Sequence, residues 1–350
     1  MRREDKRGSE QLAWQILSRA DAVYVAMEGE DGPLLRPLHA VVVGSGPDRR
    51  LVFHGAPAGD KAQGVGRRVA VMAHEHVARL PSFFTHGEKA CPATTLYRSA
   101  SAHGVLVPID DPAAKADLLQ GLMERHQPEG GHRPITHDDP MYRAAVTGLG
   151  VWAVRPDRIV SKVALHQSKR QDHRRRLVQK LWDRGEPGDA HAAQLVVDAA
   201  PLQPLADLLR GPHGTELVLA PGEPHLDDVV ALLRDQYWNT GVDDPTLRVA
   251  HLGSPVWMVL QQEGRVVATA RALTDGHKTS YVADVAVDEA WQGKRLGRFL
   301  MERMVEHPRL RRTRVDLLTR TAGPFYEQLG FMHMSWSQPW RFPTPARPAS

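Results

Sequence analysis

Apolar residues recur in two different rhythms along the chain, and the rhythm changes near residue 200. Leu12, Ala13, Ile16 and Leu17 fall at helical spacing and predict a short helix over 10–19. Strand-like runs follow at 22–27, 34–43 and 51–54, separated by Asp31-Gly32 and by Gly44, Gly46 and Pro47. Turn signals at this short, regular spacing predict a meander of antiparallel strands, hence a barrel or sandwich. Runs at 69–72 and 102–107 continue it. A helix is predicted over 113–126, with Leu118, Leu119, Leu122 and Met123 on one face. Residues 127–140 read as a polar loop, 151–163 as one or two strands, and 174–183 as a basic helix whose Arg174-Arg175-Arg176 run reads as a solvated face.

Pro201, Pro204, Gly211, Pro212 and Gly214 thin the pattern out. The predicted boundary lies there, giving domains 1–212 and 213–350. Beyond it, helices and strands alternate: a helix over 226–238, strands at 256–260 and 266–273 joined through Gln262-Glu263-Gly264, and a third strand over 279–287. Leu296, Phe299, Leu300 and Met304 then mark an amphipathic helix over 296–307. A strand at 315–318 and a short helix at 324–329 complete the pattern, which indicates an α/β layer.

Composition changes this picture little. At 350 residues, 42% hydrophobic and 25% charged, the chain reads as a soluble protein of about two domains. The net charge of +4 is too weak to argue for nucleic acid and suits anionic ligands equally well. Cys91 is the only cysteine, which excludes an intramolecular disulfide and points to a cytoplasmic location. The charged start, MRREDKRGSE, is unlike a signal peptide, and no apolar run is long enough to span a membrane.

The most informative chemistry lies in Val285 to Arg298, where a strand ends, a glycine-bearing turn follows and the amphipathic helix begins. Unpaired amides and the dipole at a helix start favour a pyrophosphate, and glycine permits close backbone approach. Lys294, Arg295 and Arg298 add positive charge. This stretch resembles motif A of the GNAT (general N-acetyltransferase) superfamily, Gln/Arg-x-x-Gly-x-Gly/Ala. Gln292 fills the first slot and Gly297 the last, while Arg295 stands where the family usually has glycine. Thr319 to Phe331 resembles motif B, with Tyr326 four residues before Gly330-Phe331. The resemblance implies an α/β fold with a mixed central sheet, acetyl-CoA as acyl donor and a small amine as acceptor. It assigns the main chain of Val285 and Val287 to the pantetheine arm, and Gln292, Gly293, Lys294, Arg295, Leu296, Gly297 and Arg298 to the pyrophosphate. It makes Tyr326 the general acid for the departing thiolate. Asp284 is the nearest candidate base, with an Arg-paired strand carboxylate as the equal alternative. Tyr237 and Trp238 are candidates to line the acceptor cleft.

In the first half, Arg36-Pro37-Leu38, the run from His54 to Lys61, and Cys91 to Ser99 resemble the flavin-binding split-barrel superfamily that contains pyridoxamine 5′-phosphate oxidase, closest to its nitroimidazole-resistance branch. The implied fold is an antiparallel split β-barrel with helices, a β-rich α+β domain. Ala164 to Lys169 departs at three slots from the flavin signature of that family. If FMN binds, Lys61 and Arg98 are the phosphate candidates, assisted by Ser99, Gly55 and Ala56. If haem binds, as in some split barrels, His54 is the axial ligand and the only metal ligand implied. His74 and His76 share a strand face but lack an evident third ligand. Split barrels generally build their cofactor site between two subunits, so a homodimer is implied. The expected function is a transferase fused to a flavin or haem oxidoreductase-like module. The alternative is a silent barrel used for dimerisation or ligand sensing, and a transcriptional regulator is the least supported, since no helix-turn-helix pattern is present.

Overall fold

The computed structural model describes residues 4–334. They fall into two compact units: residues up to 76 with 95–164, and residues 77–94 with those from 165 onward.

The first unit is an antiparallel sheet with helices. Its strands are β1 (Arg7–Gly8), β2 (Val23–Gly29), β3 (Gly32–Leu38), β4 (Val41–Val43), β5 (Arg50–Gly55), β6 (Arg68–Leu80), β7 (Thr94–Pro108) and β8 (Gly150–Ala164), and its helices α1 (Glu10–Arg19), α2 (Asp60–Gln63), α3 (Pro112–His126) and α4 (Arg143–Gly148). The strand order is β3-β2-β6-β7-β8-β5-β4, with β1 beside β8. Ser9 caps α1 by accepting a 3.0 Å bond from the Leu12 amide. Val25 of β2, Val71 of β6, Leu106 of β7, Trp152 of β8 and Phe53 of β5 all join one core cluster with Trp14 and Leu17 of α1. Side chains from strands far apart in the sheet meet in one core only if the sheet curls around it, which is the barrel character expected. On β5 and β8 the alternate residues Val52, Val151 and Ala153 are buried on the outer face against Ala116, Leu119 and Leu122 of α3. Burial on both faces explains their unbroken apolar runs.

Two sequence expectations are corrected here. The run 34–43 is two strands, not one: β3 pairs with β2, and β4 pairs with β5 at the opposite edge of the sheet. Pro33 and Pro37 suit β3 because an edge strand spares the missing amides. The strands are also not a simple meander, since β5 sits beside β8 and β2 beside β6.

The second unit contains α5 (Gln171–Arg184), α6 (Asp189–Asp198), β9 (Glu216–Val218), α7 (Leu226–Leu233), α8 (Asp244–Leu252), β10 (Val256–Gln262), β11 (Arg265–Thr274), β12 (Thr279–Val287), α9 (Leu296–Glu306), β13 (Arg314–Leu317) and α10 (Gly323–Glu327). Its mixed sheet runs β13-β12-β11-β10-β9, antiparallel except for the parallel β12–β13 pair that α9 connects. Glu263 and Gly264 both have positive φ, 49° and 82°, and turn the β10–β11 hairpin in two residues. Trp257 and Val259 pack with α7 and Leu247 of α8 on one face. Met258 and Leu260 alternate with them, fully buried, towards the face that α9 covers.

Residues 165–212, which the sequence pattern places in the N-terminal domain, group with this second unit. The rest of the predicted 213–350 domain lies here too, with 335–350 outside the described residues. Two groups explain the assignment of 165–212. Trp182 of α5 stacks edge-on against His307 after α9, centroids 5.2 Å apart, and the Gln194 carbonyl of α6 accepts from the Leu219 amide at 2.9 Å. Arg174 is not on a solvated face. It is 2% exposed, and its guanidinium binds the carbonyls of Val196, Ala200 and Pro201 at the end of α6. The helix predicted over 226–238 stops at Leu233 because the Asn239 and Gln236 side chains take the carbonyls of Leu233 and Leu232, both at 3.0 Å. No described helix is long and apolar enough to cross a membrane.

Candidate functional site

β12 pairs with β13 only from Thr279 to Val282, then continues alone on that side to Val287. The departure coincides with a bulge. The β11–β12 register slips between Thr269 and Arg271, and Asp284 adopts φ 53°. Such a bulge bends and twists a strand. It leaves the β13-facing edge of residues 283–287 without a strand neighbour among the described residues.

The chain then turns through Gly293 at φ 75° and Arg295 at φ 64°, and α9 starts at Leu296. Both positions are left-handed. Glycine adopts this freely, whereas an arginine there costs roughly 1–2 kcal/mol. That is the physical reason the slot held by Arg295 favours glycine. Helical bonding resumes with the Phe299 amide on the Arg295 carbonyl at 3.0 Å, so the amides of Leu296, Gly297 and Arg298 precede the first helical bond. A β-carbon on Gly297 would lie 3.5 Å from Val287 and 3.7 Å from Phe325, ordinary contact, so alanine would fit and anything larger would enter the cleft.

These elements enclose a cleft of about 540 Å³, within the range of small-ligand sites. Of the residues expected from sequence, Val285, Val287, Gln292, Gly293, Arg295, Leu296, Gly297, Arg298, Tyr326 and Trp238 line it. Arg298 is held at its edge by Gln328, 2.7 Å away. Lys294 is not in the lining. Its ammonium sits over the Trp291 ring, 4.6 Å from the centroid. Gln236, Ala286, Trp291, Ala322, Phe325 and Gln328 complete the wall and are not singled out by the sequence.

At the other end, Tyr326 lies on α10 between Phe325 and Phe331, with ring centroids at 5.0 and 5.8 Å. Burial, reinforced by Tyr237, pushes its hydroxyl up to about 12. The phenol therefore keeps its proton at any physiological pH. Tyr237 and Trp238 stand in a short turn after α7, T-shaped at 4.9 Å. The Tyr237 hydroxyl accepts from the Arg320 amide at 3.1 Å, tying this turn to the segment before α10. The Trp238 indole donates to Asp284 at 3.0 Å, and the other carboxylate oxygen of Asp284 receives Arg271. Asp284 is 8% exposed. Both of its oxygens are thus engaged, and the carboxylate stands behind Trp238, outside the cleft lining.

The candidate residues of the first unit separate into two groups. His54 and Gly55 end β5, and Ala56 begins the loop to α2. Lys61 folds back across Gly55, where a β-carbon would lie 2.7 Å from its ammonium, and reaches over the Trp152 ring at 5.7 Å. His54 is shifted down from the usual imidazole value, first by burial and then by Lys61, His126 and His39. Arg98 and Ser99 lie elsewhere, on β7. Arg98 opposes Val163 while His54 opposes Val151, so the two groups are roughly 30–40 Å apart measured along β8. Within one chain, Lys61 and Arg98 therefore do not hold a common phosphate. Arg98 is clamped instead by Glu75 through bonds of 2.9 and 2.6 Å, at the edge of a second cleft of about 550 Å³ lined also by Gln15, Arg19, Tyr24 and His74. His74 stacks on Tyr97 at 5.4 Å. No group of three His, Cys, Asp or Glu among the described residues could hold a metal ion.

Comparison with known proteins matches both halves. Residues 9–163 match the family model described as pyridoxamine 5′-phosphate oxidase, and residues 253–333 match that of the acetyltransferase (GNAT) domain. Among solved structures, the FAD and heme binding protein of Mycobacterium smegmatis is 20% identical, with 45% of this chain and 73% of that one covered and a TM-score of 0.38. A Bacteroides thetaiotaomicron protein assigned to 5-nitroimidazole antibiotic resistance is 22% identical over 44% and 84%, TM-score 0.33. A Xanthomonas campestris pv. campestris protein assigned to the GNAT family is 23% identical over 37% and 96%, TM-score 0.32. No curated protein matches the chain.

Proposed function

We propose that the C-terminal GNAT domain transfers an acetyl group from acetyl-CoA to a small amine. The observation that carries this reading is the cleft where β12 leaves β13 and α9 begins. It offers free strand edge at Val285 and Val287 for an amide-bearing arm, and free helix amides at Leu296 to Arg298 for a pyrophosphate. The chain's main task is to hold thioester and amine in register, which supplies much of the rate in such a reaction. As the C–N bond forms, the C–S bond breaks and the sulfur leaves as thiolate. Tyr326 then acts as hydrogen-bond donor to that sulfur. A hydroxyl near 12 is a weaker acid than a thiol near about 8.5. Its contribution is accordingly stabilisation of the leaving sulfur rather than full protonation of it. The amine must arrive neutral or lose its proton. Asp284, committed to Arg271 and Trp238, supports a positioning role on the acceptor wall better than that of base. Incubating the protein with acetyl-CoA and a panel of amines, with release of free CoA as readout, tests the reading.

For the pyridoxamine 5′-phosphate oxidase-like domain, one chain does not assemble the FMN phosphate set, because Lys61 and Arg98 are far apart along β8. A site completed by a second copy, in a homodimer through the barrel, is the arrangement that would bring the two cations together. His54 as a haem ligand makes the opposite forecast for the same variants. An absorbance spectrum of the purified protein separates flavin, haem and a silent barrel used for dimerisation or sensing.

A further inference from the structure

The wall of the proposed acetyl-CoA cleft continues beyond it. Trp238 and Tyr326 both line the cleft. Tyr237 meets Trp238 edge-on at 4.9 Å and is close enough to Tyr326 to help raise its hydroxyl, yet it stands outside the cleft lining. Arg320 comes next. Its amide donates to the Tyr237 hydroxyl at 3.1 Å, and its guanidinium lies over the Tyr237 ring, 5.0 Å from the centroid. Tyr237, Trp238 and Arg320 are all exposed. Together they form a continuous surface from the Tyr326 end of the cleft out to solvent, on the path of an acceptor that reaches the thioester from outside.

Arg320 stands on this path as an uncommitted cation. Arg271 and Arg314, on β11 and β13, are paired with Asp284 and with Asp316 at 2.5 and 2.9 Å. Arg320 has no carboxylate partner, and its side-chain N–H groups have no acceptor, among the described residues. A guanidinium stacked on a ring uses its face and keeps its N–H edge for a planar anion. A carboxylate matches that fork with two parallel bonds. A second ammonium, as in a diamine, would meet like charge there. The Tyr237 ring spaces the guanidinium from Trp238, so the anion it takes lies several bonds from the reacting nitrogen.

We infer that the acceptor is an amine that also carries a carboxylate, with Arg320 as the residue that selects the carboxylate. The inference rests on the acetyl-transfer reading above and narrows its acceptor.

The test compares 5-aminopentanoate with pentylamine, equal in chain length, by initial rates of CoA release from acetyl-CoA in the native chain, Arg320→Ala and Arg320→Lys. The native chain should favour the amino acid about tenfold in kcat/KM, the value of one exposed charge-assisted pair, and through KM rather than kcat. In Arg320→Ala, where the backbone bond to Tyr237 remains, the ratio should fall to about one. Arg320→Lys should keep part of the preference, because a charge remains but the fork is lost. Raising the salt concentration should shrink the native preference. Equal use of the two compounds by the native chain, a preference for pentylamine, or a preference that survives in Arg320→Ala overturns the proposal. If acetyl-CoA binds by calorimetry and neither compound is acetylated, this proposal falls and the acetyl-CoA site stands. If acetyl-CoA does not bind, the reading beneath it falls as well.

Discussion

The indole N–H of Trp238 donates to the carboxylate of Asp284 across 3.0 Å, while the other oxygen of Asp284 is paired with Arg271. Side-chain exposure of this ion pair is 6% for Asp284 and 17% for Arg271. Asp284→Asn keeps an acceptor for Trp238 and strands a mostly buried guanidinium. It should cost about 3 kcal/mol of stability, as should Arg271→Ala, and the double variant should cost clearly less than the sum. Denaturant unfolding of the four proteins measures this. A carboxylate that serves only as a base would show additive stabilities and a fall in kcat alone.

Tyr326→Phe removes the hydroxyl proposed to donate to the leaving sulfur. The turnover number should fall about 10- to 100-fold while acetyl-CoA affinity stays within about twofold. Because the hydroxyl lies near 12, the pH–rate profile of acetyl transfer by the native chain should show no limb from Tyr326 below about pH 10. Wild-type kcat in the variant would make Tyr326 a packing residue only.

Arg295→Gly relieves the left-handed strain at φ 64° but gives the unfolded chain more freedom. The net expectation is a gain of about 0.5–1 kcal/mol in unfolding free energy, together with weaker acetyl-CoA binding from the lost charge. Unfolding curves and calorimetry on the same sample read both. A loss of stability would contradict the assigned backbone conformation.

His307 gives the second unit an acid sensitivity. It is 4% exposed, and burial, followed by Arg309 and Arg311, pushes its imidazole down to about 3 from 6.5. The unfolded chain takes up a proton near pH 6.5 that the folded one refuses until about pH 3. The contribution is therefore complete above pH 6.5 and is lost as the pH falls, at about 1.4 kcal/mol per unit. His307→Gln should flatten the difference between urea midpoints at pH 7 and pH 4. An unchanged acid slope in that variant would place the sensitivity elsewhere.

Much of the C-terminal half is legible in the sequence because its signals are local. Leu296, Leu300 and Met304 repeat at helical spacing, and the glycines of the 292–297 turn stand where the backbone bends. What stayed hidden is non-local or conformational. Ala283-Asp284-Val285 carries no glycine to announce a bulge, although aspartate tolerates the positive φ it adopts there. The Asp284–Arg271 pair depends on the register of two strands. In the barrel, the split of 34–43 into strands on opposite edges and the distance between Lys61 and Arg98 are likewise properties of strand order. Helix α8 lies outside the periodic apolar pattern, although Asp243, accepting from the Thr246 amide at 2.9 Å, and Pro245 just behind it form a recognisable start.

If the barrel builds a flavin site from two copies, Lys61→Ala and Arg98→Ala should each lose FMN alone, and mixing and refolding the two should restore part of it. That recovery arises because a mixed dimer keeps one site with both cations. Binding lost in His54→Ala but not in either basic variant, with loss of a Soret band, would select haem instead.

The most direct test of the central claim is calorimetric titration of acetyl-CoA into the native chain and into Gly297→Glu. The native chain should bind in the micromolar range or tighter, about −8 kcal/mol. In Gly297→Glu the new side chain enters the cleft beside Val287 and Phe325 and sets a negative charge against the pyrophosphate, so binding should vanish. Acetyl-CoA affinity that is the same in both proteins, or no binding by the native chain, would contradict the account.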